Sequence, residues 1–206
     1  WRQERQTTDP MVPLKLFRSR NFSGANIMTF LLYGALGGIL FVLVIYLQRQ
    51  LHYSSLQAGV STLPIPICIF FLSRYFSELC RRYGPRLLMS IGPLLVGFGI
   101  LSLWFASPGT AYLTHIFPGV LLFGLGMSVT VAPLTITVMS ALSEVHSGIA
   151  SAINNALARV SGLLVVAVLG ILGSDLIFHF AVVLCGALAI LGGIISWLTI
   201  VNPAKD

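Results

Sequence analysis

Charge is what this sequence has least of. Asp, Glu, Lys and Arg make up 9% of its 206 residues, against about a quarter in a soluble domain. Carboxylates are scarcest. There are six, Glu4, Asp9, Glu78, Glu144, Asp175 and Asp206, and each sits in a polar stretch or at the end of an apolar run. No Ser/His, paired-Asp or His-cluster arrangement offers an enzyme a site, so no enzymatic function is expected. The three cysteines, Cys68, Cys80 and Cys185, are too few and too scattered for a disulfide framework or a metal site. They read as small core fillers. The sequence does not begin with methionine, and no signal-peptide pattern is visible in it. Trp1 to Pro10 is a polar run, read as the cut edge of a longer protein rather than a leader before an internal start at Met11.

What the chain does have is long apolar runs. Hydrophobic residues make up 56% and the mean hydropathy is +0.92, so the fold class is all-α integral membrane. Six spans are expected, at about 25–47, 56–76, 87–105, 112–139, 147–170 and 176–200, close to the ~20 residues a bilayer requires except for the fourth, which is long and should be bent or tilted. This divides the chain into a linker and interfacial segment at 1–24, a transmembrane body at 25–201 and a tail at 202–206. Within the linker, Lys15, Arg18 and Arg20 are expected among lipid headgroups with Leu14, Leu16 and Phe17 dipping inward. A plain basic flank is the alternative. Pro64 and Pro66 should kink the second span unless neighbours satisfy the freed carbonyls. Arg74 to Arg86 reads as a basic loop. The four histidines, His52, His115, His146 and His179, fall near span ends.

The net charge of +6 does not point to nucleic acid, because the basic residues cluster at span ends. One side collects Arg2, Arg5, Lys15, Arg18, Arg20, Arg74, Arg81, Arg82, Arg86 and Lys205; the other has only Arg49. By the positive-inside rule both termini are cytoplasmic, in a cell-membrane protein whose first partner is the lipid bilayer.

The stretch from His146 to Gly170 stands apart. At about 100° per residue, Gly148, Ser151, Asn155, Arg159, Gly162, Val166 and Gly170 share one narrow face. Arg159 lies near the midpoint of the span, where facing lipid would cost at least about 2.5 kcal/mol. It should therefore face a bundle interior or a wet cavity. Arg159, Asn155 and, more weakly, Asn154 are the candidate cavity residues. The alternative is a polar seam bonded to neighbouring helices and to carbonyls freed at Pro133. The glycines of the stripe read as close helix packing.

The segment Ser77-Glu-Leu-Cys-Arg-Arg-Tyr-Gly-Pro-Arg86 resembles the loop between the second and third helices of each half of the major facilitator superfamily. Leu79, Arg82, Gly84 and Arg86 match that pattern; Ser77 stands for its glycine and Arg81 for its acid. Glu78 can pair with Arg81 or Arg82. A broader resemblance covers about Pro10 to Gly173. It is carried in order by Phe17 to Asn26, Tyr46-Leu-Gln48, Leu56 to Gly59, Tyr83 to Arg86, Pro118-Gly119, Gly124 to Gly126, Ala132-Pro133, Asn154-Asn155 and Arg159. It is similar to the later half of the fourteen-helix drug:proton antiporters of that superfamily, the EmrB/QacA type.

The resemblance implies six helices in two inverted three-helix repeats and a missing N-terminal half or a second copy as partner. It implies efflux of a small-molecule substrate driven by the proton gradient, with no bound cofactor. It also places Glu78, Arg81, Arg82, Gly84 and Arg86 in a cytoplasmic gate loop. No span contains a carboxylate, so either a proton site lies in the other half or the chain does not couple to protons by the usual route. The alternative is a truncated or non-transporting membrane protein that acts by helix packing.

Overall fold

In the computed structural model of the chain, residues 14–107, 109, 111–140, 147–171 and 177–202 are described. A short 3-10 turn, Leu14–Arg18, leads into α1, Arg20–Arg49. It is followed by α2 (Ser55–Thr62), α3 (Pro64–Tyr83), α4 (Pro85–Ser102), α5 (Tyr112–His115), α6 (Phe117–Ser140), α7 (Ser147–Gly170) and α8 (Ile177–Thr199). Six stretches are long and apolar enough to cross a membrane: α1, α2 with α3, α4 with its 3-10 extension to Phe105, α6, α7 and α8. All six expected spans are present.

The pattern of packed pairs carries the internal symmetry. α1 lies against α7 and α8, α6 lies against α3 and α4, and α4 lies against α8. Numbering the spans one to six, exchanging the first three for the last three turns pair 1–5 into 4–2 and pair 1–6 into 4–3. Pair 3–6 maps onto itself. That is what two three-helix repeats produce.

In a bilayer, lipid tails compete with apolar helix faces, so close backbone approach decides which helices stay together. Small residues permit it between α4 and α6. A Cβ on Gly99 would lie 2.7 Å from the Phe123 nitrogen, and one on Gly126 would lie 2.6 Å from the Gly92 carbonyl oxygen. Along α1, Met28, Leu32, Ala35, Ile39, Leu43 and Leu47 recur every three to four residues and are fully covered. They form the spine of the body.

The second and fifth spans are the least covered. Only 11% of the most apolar window of α7 is buried, and 22% of that of α2–α3, against 61% for α6.

Several boundaries differ from the sequence reading. Residues 20–24 belong to α1, capped by the Ser19 hydroxyl, which accepts from the Phe22 amide. Leu16 is buried in the core rather than dipping into lipid. Arg74 to Arg82 are helical, not loop: α3 runs to Tyr83 and ends only where Gly84 adopts φ 82°. Basic residues do not break a helix; the left-handed glycine does. The fourth span starts at Phe117, with the short α5 before it.

The second span breaks at Leu63, just before Pro64, as the two prolines require. The Tyr112 hydroxyl donates to the Ser61 carbonyl at the break, 2.7 Å away. The three cysteines are free and buried. His52, His115 and His179 sit at element ends. His146, Glu144, Asp175, Trp1 to Pro10 and the tail beyond Asn202 lie outside the described residues.

Candidate functional site

α7 is 24 residues long, about 36 Å at 1.5 Å per residue, with Arg159 at its centre. Its inward face is Ala150, Asn154, Ser161, Val165 and Leu169. At one level this face meets bare backbone: a Cβ on Gly37 would lie 2.8 Å from the Gly162 Cα. One turn further on, Val165 fills the space above Gly34 and Gly38. Nearer the N-terminus of α7 the contact is polar. The Asn154 side-chain amide donates to the Asn26 amide oxygen at 3.1 Å and to the Thr29 hydroxyl at 2.7 Å. Asn26 and Thr29 are buried, and each bonds the carbonyl four residues before it. Asn154, expected among the cavity residues, is thus spent on α1.

The opposite face is open. Asn155 and Arg159 are both exposed. The Asn155 amide reaches only the Ser151 hydroxyl, at 3.5 Å, one turn earlier. Arg159 has no hydrogen-bond or ion-pair partner among the described residues. It does not face the interior of this six-helix body, contrary to the bundle-interior expectation; it stands on the body's surface at mid-span. Nor do Asn154, Asn155 and Arg159 form a seam with the Pro133 turn of α6 among the described residues. The glycine stripe packs only in part. Gly162 meets Gly37, but Gly148 and Gly170 have nothing within 4 Å of a built Cβ.

The α3–α4 turn is the second group. Glu78 and Arg81 pair at 3.5 Å with both side chains well exposed, so the pair contributes at most a few tenths of a kcal/mol. The Arg82 side chain is exposed and makes no bond among the described residues. Arg86 behaves differently. Its Nε donates to the Trp197 carbonyl at 2.9 Å, and its guanidinium lies 4.4 Å from the centre of the Trp197 ring. Its backbone amide donates to the Asn202 side-chain oxygen at 3.1 Å. Asn202 in turn donates to the Tyr83 carbonyl at 3.4 Å.

A Cβ on Gly84 would run into the Asn202 side chain. Arg20 and Asn21 of α1 meet the same end of α8. Arg20 donates to the Leu198 carbonyl at 3.3 Å, and Asn21 exchanges two bonds with the Val201 backbone, at 3.0 and 2.8 Å. The five residues read together as one loop are therefore of two kinds. Glu78, Arg81 and Arg82 point outward, while Gly84 and Arg86 are tied to α8.

At the far end of the second span, Tyr53, Leu56, Gln57, Val60, Ser61 and Tyr112 line an open groove of about 480 Å³. Gln57 is held there by a capping box with Ser54. Burial, and then the neighbouring Tyr53, push the Tyr112 hydroxyl up from its ordinary value, so it stays a proton donor to Ser61.

The sequence pattern of the Major Facilitator Superfamily matches residues 2–166. The chain belongs to the major facilitator superfamily. It is an integral membrane protein with the six-helix, two-repeat architecture of one half of that fold. The quinolone resistance protein NorB of Staphylococcus aureus strains MRSA252, JH9 and JH1 is in each case 32% identical over 169 residues, 81% of this chain. The chain spans about a third of those curated relatives, 36% of their length.

Within the superfamily fold, the residues that the sequence did not flag are Asn26, Thr29, Trp197 and Asn202 in their bonding roles. The signal available was weak. Asn26 and Thr29 are polar residues three apart in an apolar run, facing the helix that carries Asn154. Nothing local marks Asn202.

Proposed function

We propose that this chain is the C-terminal six-helix half of an efflux antiporter. It moves drugs or small organic molecules out of the cell by alternating access, driven by the proton gradient. The carrying observation is Arg159: charged, central in a membrane-crossing helix and without a partner among the described residues. Against lipid it would cost at least about 2.5 kcal/mol. A second half that closes a wet cavity over α7 removes that cost. In this reading the six helices rock as one body against the other half, and Asn155 and Arg159 face the substrate near the midplane. Asn154 holds α7 at the azimuth that aims them. Glu78, Arg81 and Arg82 meet the other half at the cytoplasmic gate, and both termini are cytoplasmic on the Lys and Arg count.

The names of the relatives make quinolones the first compounds to test. The one carboxylate among the described residues is Glu78, exposed near the end of α3. The proton carrier accordingly belongs to the other half.

The test is quinolone accumulation in cells that express the full protein carrying this chain, against its Arg159→Ala variant at matched expression. Lowered accumulation with the parent and not with the variant is expected. Equal export by both would make Arg159 a packing residue and overturn the site. No export by the parent would overturn the drug reading and favour a non-transporting role.

A further inference from the structure

Among the described residues, the basic end of the body carries more positive charge than it neutralises. Arg20 from α1 and Arg86 from α4 converge on consecutive carbonyls, Leu198 and Trp197, at the C-terminus of α8. A helix C-terminus supplies about half a negative charge. Two guanidiniums against it leave roughly one and a half positive charges unmatched. Among the described residues the one carboxylate is Glu78, and its partner at 3.5 Å is Arg81. Asn202 and Asn21, the other polar groups at this junction, are neutral and bonded to backbone.

Arg86 spends Nε on Trp197 and keeps its two terminal nitrogens without a partner among the described residues. Arg20 is exposed. Below the arginines, Trp197 is 48% exposed and continues into an outward strip of Ile194, Leu198, Leu87 and Ile91. An aromatic ring at the end of an apolar lipid-facing strip marks the membrane–water interface.

We propose that Arg20, Arg86 and Trp197 form a headgroup site for an anionic phospholipid. The phosphodiester takes the free guanidinium edges, and an acyl chain lies along Trp197 and the α4–α8 strip. Basic pockets between membrane helices on the cytoplasmic side bind anionic headgroups by this chemistry. A phosphodiester carries one negative charge, which brings the cluster close to neutrality. The site staples the starts of α1 and α4 to the end of α8, so the lipid would also stiffen that junction. It stands independently of the transport reading.

The test uses the full protein that carries this chain, purified in mild detergent. Native mass spectrometry counts retained lipid after equal exposure to phosphatidylglycerol and phosphatidylcholine with the same acyl chains. Preferential retention of phosphatidylglycerol is expected. Arg20→Gln, which removes one charge and a single long bond, should weaken it about fivefold, the worth of one basic residue at a membrane surface. Arg20→Lys should keep most of it, and Arg49→Gln at the opposite end should leave it unchanged. Millimolar inorganic phosphate should fail to displace the lipid, because it cannot use the apolar strip. Equal retention of both lipids, full retention by Arg20→Gln, or complete displacement by phosphate would each overturn the site.

Discussion

Replacing Gly84 by alanine should loosen the basic end of the body, and the size of the loss can be worked out in advance. Gly84 has φ 82° and ψ 164°, a region open essentially to glycine alone, where another residue costs about 1–3 kcal/mol. The new methyl would also occupy space held by the Asn202 side chain, whose Cγ lies 2.5 Å from the Cβ position. Moving Asn202 breaks its bonds to the Arg86 amide at 3.1 Å and the Tyr83 carbonyl at 3.4 Å. Both are exposed, so together they are worth about 1 kcal/mol. The total is about 3 kcal/mol, or a fall in Tm of roughly 6–12 °C for a chain of this length.

Thermal unfolding in detergent, followed by tryptophan fluorescence, measures it. The comparison is Gly59→Ala, a helical glycine with nothing within 4 Å of its Cβ position, which should hold or slightly raise Tm. Asn202→Ala should cost only the bond share. The double variant, which has no clash, should retain the strain share. If Gly84→Ala falls within about 2 °C of Gly59→Ala, the turn is not held by its backbone conformation, and the account of why α3 ends there is wrong.

Two further predictions concern the α1–α7 seam. Asn154→Leu should lower stability by about 0.6–1.7 kcal/mol, the range for interhelical hydrogen bonds in membranes, read as a shift in the denaturant midpoint; no shift would mean that its bonds to Asn26 and Thr29 carry nothing. Gly37→Ala should cost more than Gly192→Ala in the same assay. Its Cβ meets the Gly162 backbone at 2.8 Å, whereas the Gly192 position has 3.6 Å of room; equal effects would refute the close approach of the two helices.

The spans were legible because a bilayer imposes one length and one composition, and apolar runs of 20 or so residues meet both. The break at Leu63 was legible for a local reason, Pro64 and Pro66. The helical course of Arg74 to Tyr83 was not legible, because charge density on its own suggests a loop. Helix α3 persists through those residues, since nothing in them opposes helical dihedrals until Gly84. The contacts of Asn154 and Asn202 were not legible. Asn154 reaches Asn26 across 128 residues of sequence, and Asn202 reaches Arg86 across 116. A period along one helix shows which residues share a face. It does not show which face a distant helix will cover.

That distinction bears on the central stripe. Within a membrane, exposure on its own says little, because lipid covers an apolar face as well as another helix does. Spans two and five are equivalent under the internal exchange and are both poorly covered, yet their open faces differ in kind. Along α3 the open face includes Ile67, Phe70 and Phe71, and hydrocarbon satisfies it. Past Val160 the open face of α7 is likewise apolar, with Leu163, Leu164 and Val168. Between Ser151 and Arg159 it is not: the Asn155 amide has only the Ser151 hydroxyl of its own helix, and the Arg159 guanidinium has no partner among the described residues. Lipid can complete α3 and the second half of α7. It cannot complete the first half of α7 without a cost of several kcal/mol. The requirement for a further protein body or a water-filled space therefore rests on these two side chains, not on how much surface is exposed.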